Sequence, residues 1–277
     1  MASSDFIAIA ANICGIDAYG CGAATLLLVA NLDRTSMNKP TTLVLCIPGP
    51  WKDHNELVRR VATTPTPGRF MFLGGVLMEV GQGRHVRMVV APSYDQMAEA
   101  FSIAGQGRLH PELLDEVGRH ESVVYLEFDG LMHEQVEWIA ATTQLLRDLG
   151  GYAVKVESSG NAHDWEGWER GLHGNLFDLY CLGVVLTGDA EFFASCGMRH
   201  FGLADCRVSS EIPMDAAADV MNRFNFYRLV EAPTLLDGHT FSVDERAQVF
   251  QLRLGADQRD ADDLFFNPEG CWNLVPV

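Results

Sequence analysis

The sequence predicts an α+β fold whose core is a split β-α-β unit, and three observations carry that prediction. Short apolar runs such as Thr41–Ile47 (TTLVLCI) and Val123–Phe128 (VVYLEF) have the length and residue types of buried strands. Longer stretches between them repeat their apolar residues at helical spacing, among them Glu134–Leu149, which Gly150-Gly151 closes. A glycine-rich joint, Gly81-Gln82-Gly83, separates Arg69–Glu79 from Val86–Ala91 and suits an antiparallel hairpin.

Taken in order, the first strand ends at Pro48-Gly49-Pro50 and Asp53–Ala62 follows as a helix. After the hairpin, Ser93 is placed to cap a helix running to Ala104, with Tyr94, Met97, Ala98 and Phe101 on one face. A helix over Pro111–His120, the strand Val123–Phe128, the helix Glu134–Leu149 and a strand over Tyr152–Glu157 complete the set. Strand, helix, strand, strand, helix, strand is the order of a ferredoxin-like split β-α-β unit, here extended by one more helix and strand. Beyond it, Leu179–Leu186 fits either a strand or a buried helix. Pro213–Leu229 reads as a helix, Asp237-Gly238 as a hairpin turn within Leu235–Val243, and Val249–Leu254 as a strand. No repeat or linker divides the chain. The expectation is one α+β unit over residues 1–277, with a ferredoxin-like core at 1–160 and a C-terminal α/β extension at 161–277.

Composition narrows the function. The chain has 277 residues, is 48% hydrophobic and carries 37 acids against 20 bases, a net charge of −17. Such a balance argues against nucleic acid, because a polyphosphate needs a basic face from which counterions are released. It favours a basic protein partner, a class that includes many nucleases and other toxins. The seven cysteines form no C-x-x-C pair and predict reduced, mostly buried thiols. Residues 6–32 are apolar but broken by Asn12, Asp17 and glycines, and no lysine or arginine precedes Arg34. That pattern predicts neither a secretory signal nor a membrane span, and so a cytoplasmic protein.

Motifs for cofactor chemistry do not occur. There is no G-x-x-x-x-G-K-[ST], no G-x-G-x-x-G, no H-E-x-x-H and no G-x-S-x-G, so neither a cofactor nor a metal is expected. Cys196 and His200, four residues apart, would share a face if their segment were helical. The stretch from Glu157 to Trp168 (ESSGNAHDWEGW) follows a predicted strand end, a place where ligand groups gather. Glu157, His163 and Asp164 could serve there as acid, base and orienting group. Against this, Asp164 or Asn161 could simply cap a helix whose Trp165 and Trp168 pack on the core.

Acidic residues concentrate late in the chain: residues 151–277 hold 20 acids and 9 bases. Two dense groups, Asp164, Glu166, Glu169 and Asp178, then Asp257, Asp260, Asp262 and Asp263, are the candidate partner-binding residues.

The run Gly150-Gly151-Tyr152-Ala153-Val154-Lys155-Val156-Glu157-Ser158-Ser159-Gly160, with Ala162-His163 and Trp168, carries a resemblance. With Gly197-Met198-Arg199-His200-Phe201-Gly202-Leu203-Ala204-Asp205, it resembles the bacterial family known as domain of unknown function 4261, over residues 120–255. The resemblance implies a setting among secretion and toxin genes, including those of type VI secretion systems. Small acidic proteins there act as immunity partners of toxic effectors. The expected function is therefore a non-enzymatic immunity protein that binds and neutralises a toxic effector. A hydrolase using the Glu157–Asp164 loop, or an adaptor of a secretion assembly, is the alternative.

Overall fold

The structure of the protein, a computed structural model, describes residues 43–64 and 68–277. The apolar N-terminal stretch, Cys14, Cys21 and the first two residues of the predicted strand Thr41–Ile47 lie outside the described residues. The described chain is α+β and divides into two units, residues 43–182 and Gly183–Val277. Among the described residues no helix is long and apolar enough to cross a membrane.

The first unit is built on a seven-stranded sheet. Its elements are β1 (Leu43–Gly49), α1 (His54–Ala62), β2 (Phe70–Leu73), β3 (Val76–Glu79), β4 (His85–Pro92), α2 (Met97–Gly105) and α3 (Pro111–Gly118). They continue with β5 (Ser122–Phe128), α4 (Val136–Asp148), β6 (Val154–Val156), β7 (Asn161–His163), α5 (Trp165–His173) and α6 (Leu176–Gly183). The strand order is β2-β3-β4-β5-β1-β6-β7, with every neighbouring pair antiparallel.

The elements occur largely where the sequence places them, but their arrangement differs in three ways. A split unit assembled from the predicted elements sets β1 beside β4. Instead β5 lies between them: α1 carries the chain from β1 past β5, β4 and β3 to β2, and α4 carries it from β5 to β6 around β1. β1 is buried at every position, which fits a central strand paired along its whole length to β5. The predicted strand Arg69–Glu79 is itself a hairpin, β2-β3, because Gly74 and Gly75 both take positive φ (59° and 80°) and make a two-residue turn. Ser93 caps nothing. β4 stays paired to β5 as far as Pro92, His120 Nε2 accepts from the Tyr94 amide at 3.0 Å, and α2 begins only at Met97.

The second unit holds a six-stranded sheet with a helix packed on it. In chain order come β8 (Val185–Gly188), β9 (Phe192–Cys196), a 3-10 turn (Met198–Phe201), β10 (Asp205–Ser209) and α7 (Met214–Glu231). β11 (Thr240–Phe241), β12 (Phe250–Gly255) and β13 (Cys271–Pro276) follow. The sheet order is β11-β12-β13-β10-β9-β8, in which β10 and β13 are parallel and the other pairs antiparallel. Ala217, Val220, Met221 and Phe224 of α7 pack on Cys206, Val208, Leu252, Trp272 and Leu274. The apolar run Leu179–Leu186 resolves into the end of α6 and the start of β8. The divide between units falls after Leu182 and not after residue 160. β7 pairs with β6, and Asn161 donates to the Cys181 and Leu182 carbonyls at 2.9 and 3.0 Å, tying α6 to the first unit.

Candidate functional site

Strand geometry decides whether Glu157, His163 and Asp164 can work together. His163 is paired with Val154 and Ala162 with Lys155, so His163 projects from the face that Val154 occupies. Glu157, just past β6, lies on the opposite face, where it forms a buried ion pair with Lys155 at 3.0 Å. On that side Cys46 is wholly buried, and burial, then the Glu157 charge, pushes its thiol up. The three candidate groups therefore do not converge.

His163 is also poorly suited to take a proton. Its Nε2 faces the Leu182 carbonyl at 3.2 Å, and a carbonyl only accepts, which places the proton on Nε2. Burial and the Arg108 charge push the imidazole down to about 3, so it stays neutral at physiological pH and is a weak base. The ring instead packs against Trp168, with centroids 5.9 Å apart. Trp168 is fully buried and donates to Thr143 Oγ1 at 3.1 Å. Asp164 caps α5, its Oδ1 accepting from the Gly167 amide at 2.7 Å. His163, Asp164 and Asp178 do line one open cleft of about 310 Å³, together with Arg108, Arg170 and Cys181.

Cys196 and His200 fare no better as a catalytic pair. Cys196 ends β9 and His200 lies in the 3-10 turn, so the helical spacing that would align them is not formed. Burial and the Asp205 charge push the Cys196 thiol up to about 12, and burial and Arg199 push His200 down to about 3. A thiolate beside an imidazolium requires the reverse of both shifts. Among the described residues no three His, Cys, Asp or Glu side chains gather as metal ligands.

The eight acidic candidates fall on both units. Asp164, Glu166, Glu169 and Asp178 belong to the first and are locally engaged: Asp164 as a cap, Glu166 with Arg170 at 2.8 Å, Glu169 with Arg147. Asp178 accepts from the Asn175 amide at 2.8 Å. Asp257, Asp260, Asp262 and Asp263 belong to the second, in the loop 256–270 between β12 and β13. Of these, Asp257 turns inward. Its side chain is 7% exposed and pairs with Arg259 at 2.9 Å, while its Oδ2 accepts from the Asn267 amide at 2.9 Å. Burial opposes its charge, yet Arg259 holds the carboxyl below its ordinary value. Asp263 Oδ1 accepts from the Phe265 amide at 2.7 Å, and Asp260 and Asp262 stand exposed.

Three residues that the sequence does not single out for this loop pin it in place. Arg199 donates to the Leu264 and Phe266 carbonyls at 2.9 and 2.8 Å. Asn267 donates to Leu203 O at 3.0 Å and to Asp205 Oδ2 at 2.7 Å. Asp205, 2% exposed, accepts in addition from the Met198 amide at 3.1 Å. The segment Gly197–Asp205 thus holds the loop, and Gly197, at φ 117°, makes the bend that starts it. Gly197, Arg199, Gly202 and Asp205 are legible in the sequence as a group, but their target in the loop lies some sixty residues away.

Comparison with known protein families, with curated proteins and with solved structures finds no match to this chain. Function must therefore be read from the chain's own geometry.

Proposed function

We propose that the chain is a non-enzymatic binding protein of the cytoplasm, an immunity protein that neutralises a basic toxic effector by covering it. The observation that carries this reading is the loop 256–270. At the upper end of the ~12–15 residues that connections without secondary structure usually reach, it is pinned at its base by Arg199, Asn267 and the Asp257–Arg259 pair, and it presents Asp260 and Asp262 to solvent. A loop ordered before binding loses little conformational entropy on contact, and exposed carboxylates on a −17 chain speed encounter with a basic surface. The separation of Glu157 from His163 weighs against hydrolysis as the alternative.

The same reading takes the scaffold of the first unit as ferredoxin-like. The path β1-α1-β4-β5-α4-β6, in the order β6-β1-β5-β4, follows that pattern, with β2-β3 and α2-α3 as additions.

The test is capture of the partner by the tagged full chain from its native cells, followed by expression of that partner alone. A one-to-one partner that is toxic alone and harmless when co-expressed with this chain is the expected result. Protection that survives the double reversal Asp260→Lys and Asp262→Lys would remove the loop from the interface. A partner without toxicity would sink the immunity reading.

A further inference from the structure

Among the described residues, one edge of the first unit's sheet has the properties of a self-association surface. β2 is the terminal strand, and its four residues, Phe-Met-Phe-Leu, contain none of the charges or prolines that usually blunt an edge. Phe70 and Phe72 point into the core, while Met71 and Leu73 are 46% and 69% exposed. Val80, on the neighbouring turn, is 48% exposed.

The backbone phase of the strand is set by its hairpin. A two-residue turn makes Leu73 and Val76 a hydrogen-bonded pair, and the Val80 amide donates to the Arg69 carbonyl at 2.8 Å. Residues 69, 71 and 73 therefore direct their N–H and C=O groups toward β3. Phe70 and Phe72 direct theirs outward, to the edge. Charge singles out the same place. A chain of net charge −17 repels its own copy over most of its surface. Around this hairpin three arginines meet three glutamates: Arg69 pairs with Glu79 at 2.9 Å, Arg84 with the same Glu79 and with Glu137 at 3.8 Å, and Arg87 with Glu127 at 2.8 Å.

We propose that two copies of this chain associate by antiparallel pairing of β2 with β2 about a two-fold axis through Met71. Only a register with an even index sum keeps inner side chains facing inner ones, and among these only the pairing of Phe70 with the second copy's Phe72 engages the outward groups of both residues within the strand. That register sets Met71 against Met71 on the axis in a non-hydrogen-bonded position, and Leu73 against Arg69. An isologous contact of this kind closes at two copies and leaves the loop 256–270 out of the paired strand. It is independent of the immunity reading.

Sedimentation of the full chain from low micromolar to near-millimolar concentration should show a monomer giving way to a dimer. Met71→Lys, which places two ammonium groups on the axis, should leave only monomer. An equimolar mixture of Met71→Lys and Met71→Glu should restore the dimer, which separates loss of pairing from loss of folding. Met71→Cys should crosslink under mild oxidation, since directly opposed Cα atoms in such a position lie about 4.5 Å apart, within the disulfide range. Leu73→Cys and the native chain should not crosslink. A chain that stays monomeric throughout, or a dimer indifferent to Met71→Lys, overturns the proposal.

Discussion

Asn267 donates its side-chain amide to Asp205 at 2.7 Å and so closes the base of an acidic surface loop over a buried carboxylate. Burial pushes the Asp205 carboxyl up, while Asn267 and the Met198 amide act to keep its charge. Removing Asn267 leaves that carboxylate and the Leu203 carbonyl each short of a donor. Asn267→Ala should cost about 1–3 kcal/mol in denaturant unfolding and speed amide exchange across residues 256–270. Asn267→Asp should cost more, because it sets two carboxylates in contact. Unchanged exchange in the loop with Asn267→Ala would mean that the loop is ordered by other contacts.

Two buried histidines make the fold sensitive to acid well above the carboxylate range. His163 and His200 are both held neutral, with pKa values pushed down to about 3, whereas an unfolded imidazole takes its proton near 6.5. Their stabilising contribution is complete above about pH 6.5 and is lost as the pH falls toward 3, because the unfolded chain is protonated first. Each should steepen the loss by up to about 1.4 kcal/mol per pH unit. His163→Gln, which keeps a donor for the Leu182 carbonyl, should flatten the curve between pH 6.5 and 4.5. A stability profile already flat there in the native chain would contradict the neutral assignment.

Opposite substitutions at two backbone positions should move stability in opposite directions. A Cβ on Gly171 would sit 2.4 Å from Leu182 Cγ, so Gly171→Ala overpacks the contact between α5 and α6 and should cost about 1–3 kcal/mol. Ala232 ends α7 in the left-handed region, at φ 44° and ψ 48°, with its amide bonded to Arg228 O. Ala232→Gly relieves that strain and should add about 0.5–1 kcal/mol. Calorimetry of the two variants checks both signs.

Legibility in the sequence followed locality. β1, β5 and α4 could be read because each is an apolar segment with its own stop signal in Pro50, Asp129 or Gly150, although β1 runs two residues past the predicted end, through Pro48 to Gly49. β10 and β13 escaped because Arg207 and Asn273 interrupt their apolar pattern. The two side chains bond to each other across the parallel pair, and Arg207 lies over Phe192 at 4.5 Å. The hairpin inside Arg69–Glu79 was signalled by Gly74-Gly75, but the apolar run on either side reads as one strand. At the candidate site, Asp257 looks like its acidic neighbours in sequence. Only the arrival of Arg259 and the Asn267 amide turns it inward.

That distinction separates the two acidic groups experimentally. In the first group the carboxylates serve the fold. Asp164→Ala removes the cap of α5 and should cost about 1 kcal/mol, and Glu169→Ala removes a partner of Arg147. In the second, Asp260 and Asp262 are exposed, and reversing Asp260 to lysine should leave the thermal midpoint unchanged. If the loop meets a basic partner, reversing both should slow association, reduce its dependence on salt and leave dissociation less affected, because rim charges act mainly on encounter. Asp257→Ala combines both effects, since it frees Arg259 and loosens the loop: stability falls and dissociation quickens. Stopped-flow association at two salt concentrations, run beside thermal melts, resolves the cases. Slower association on Asp164→Ala with no change for Asp260→Lys and Asp262→Lys would move the contact surface to the cleft beside α5.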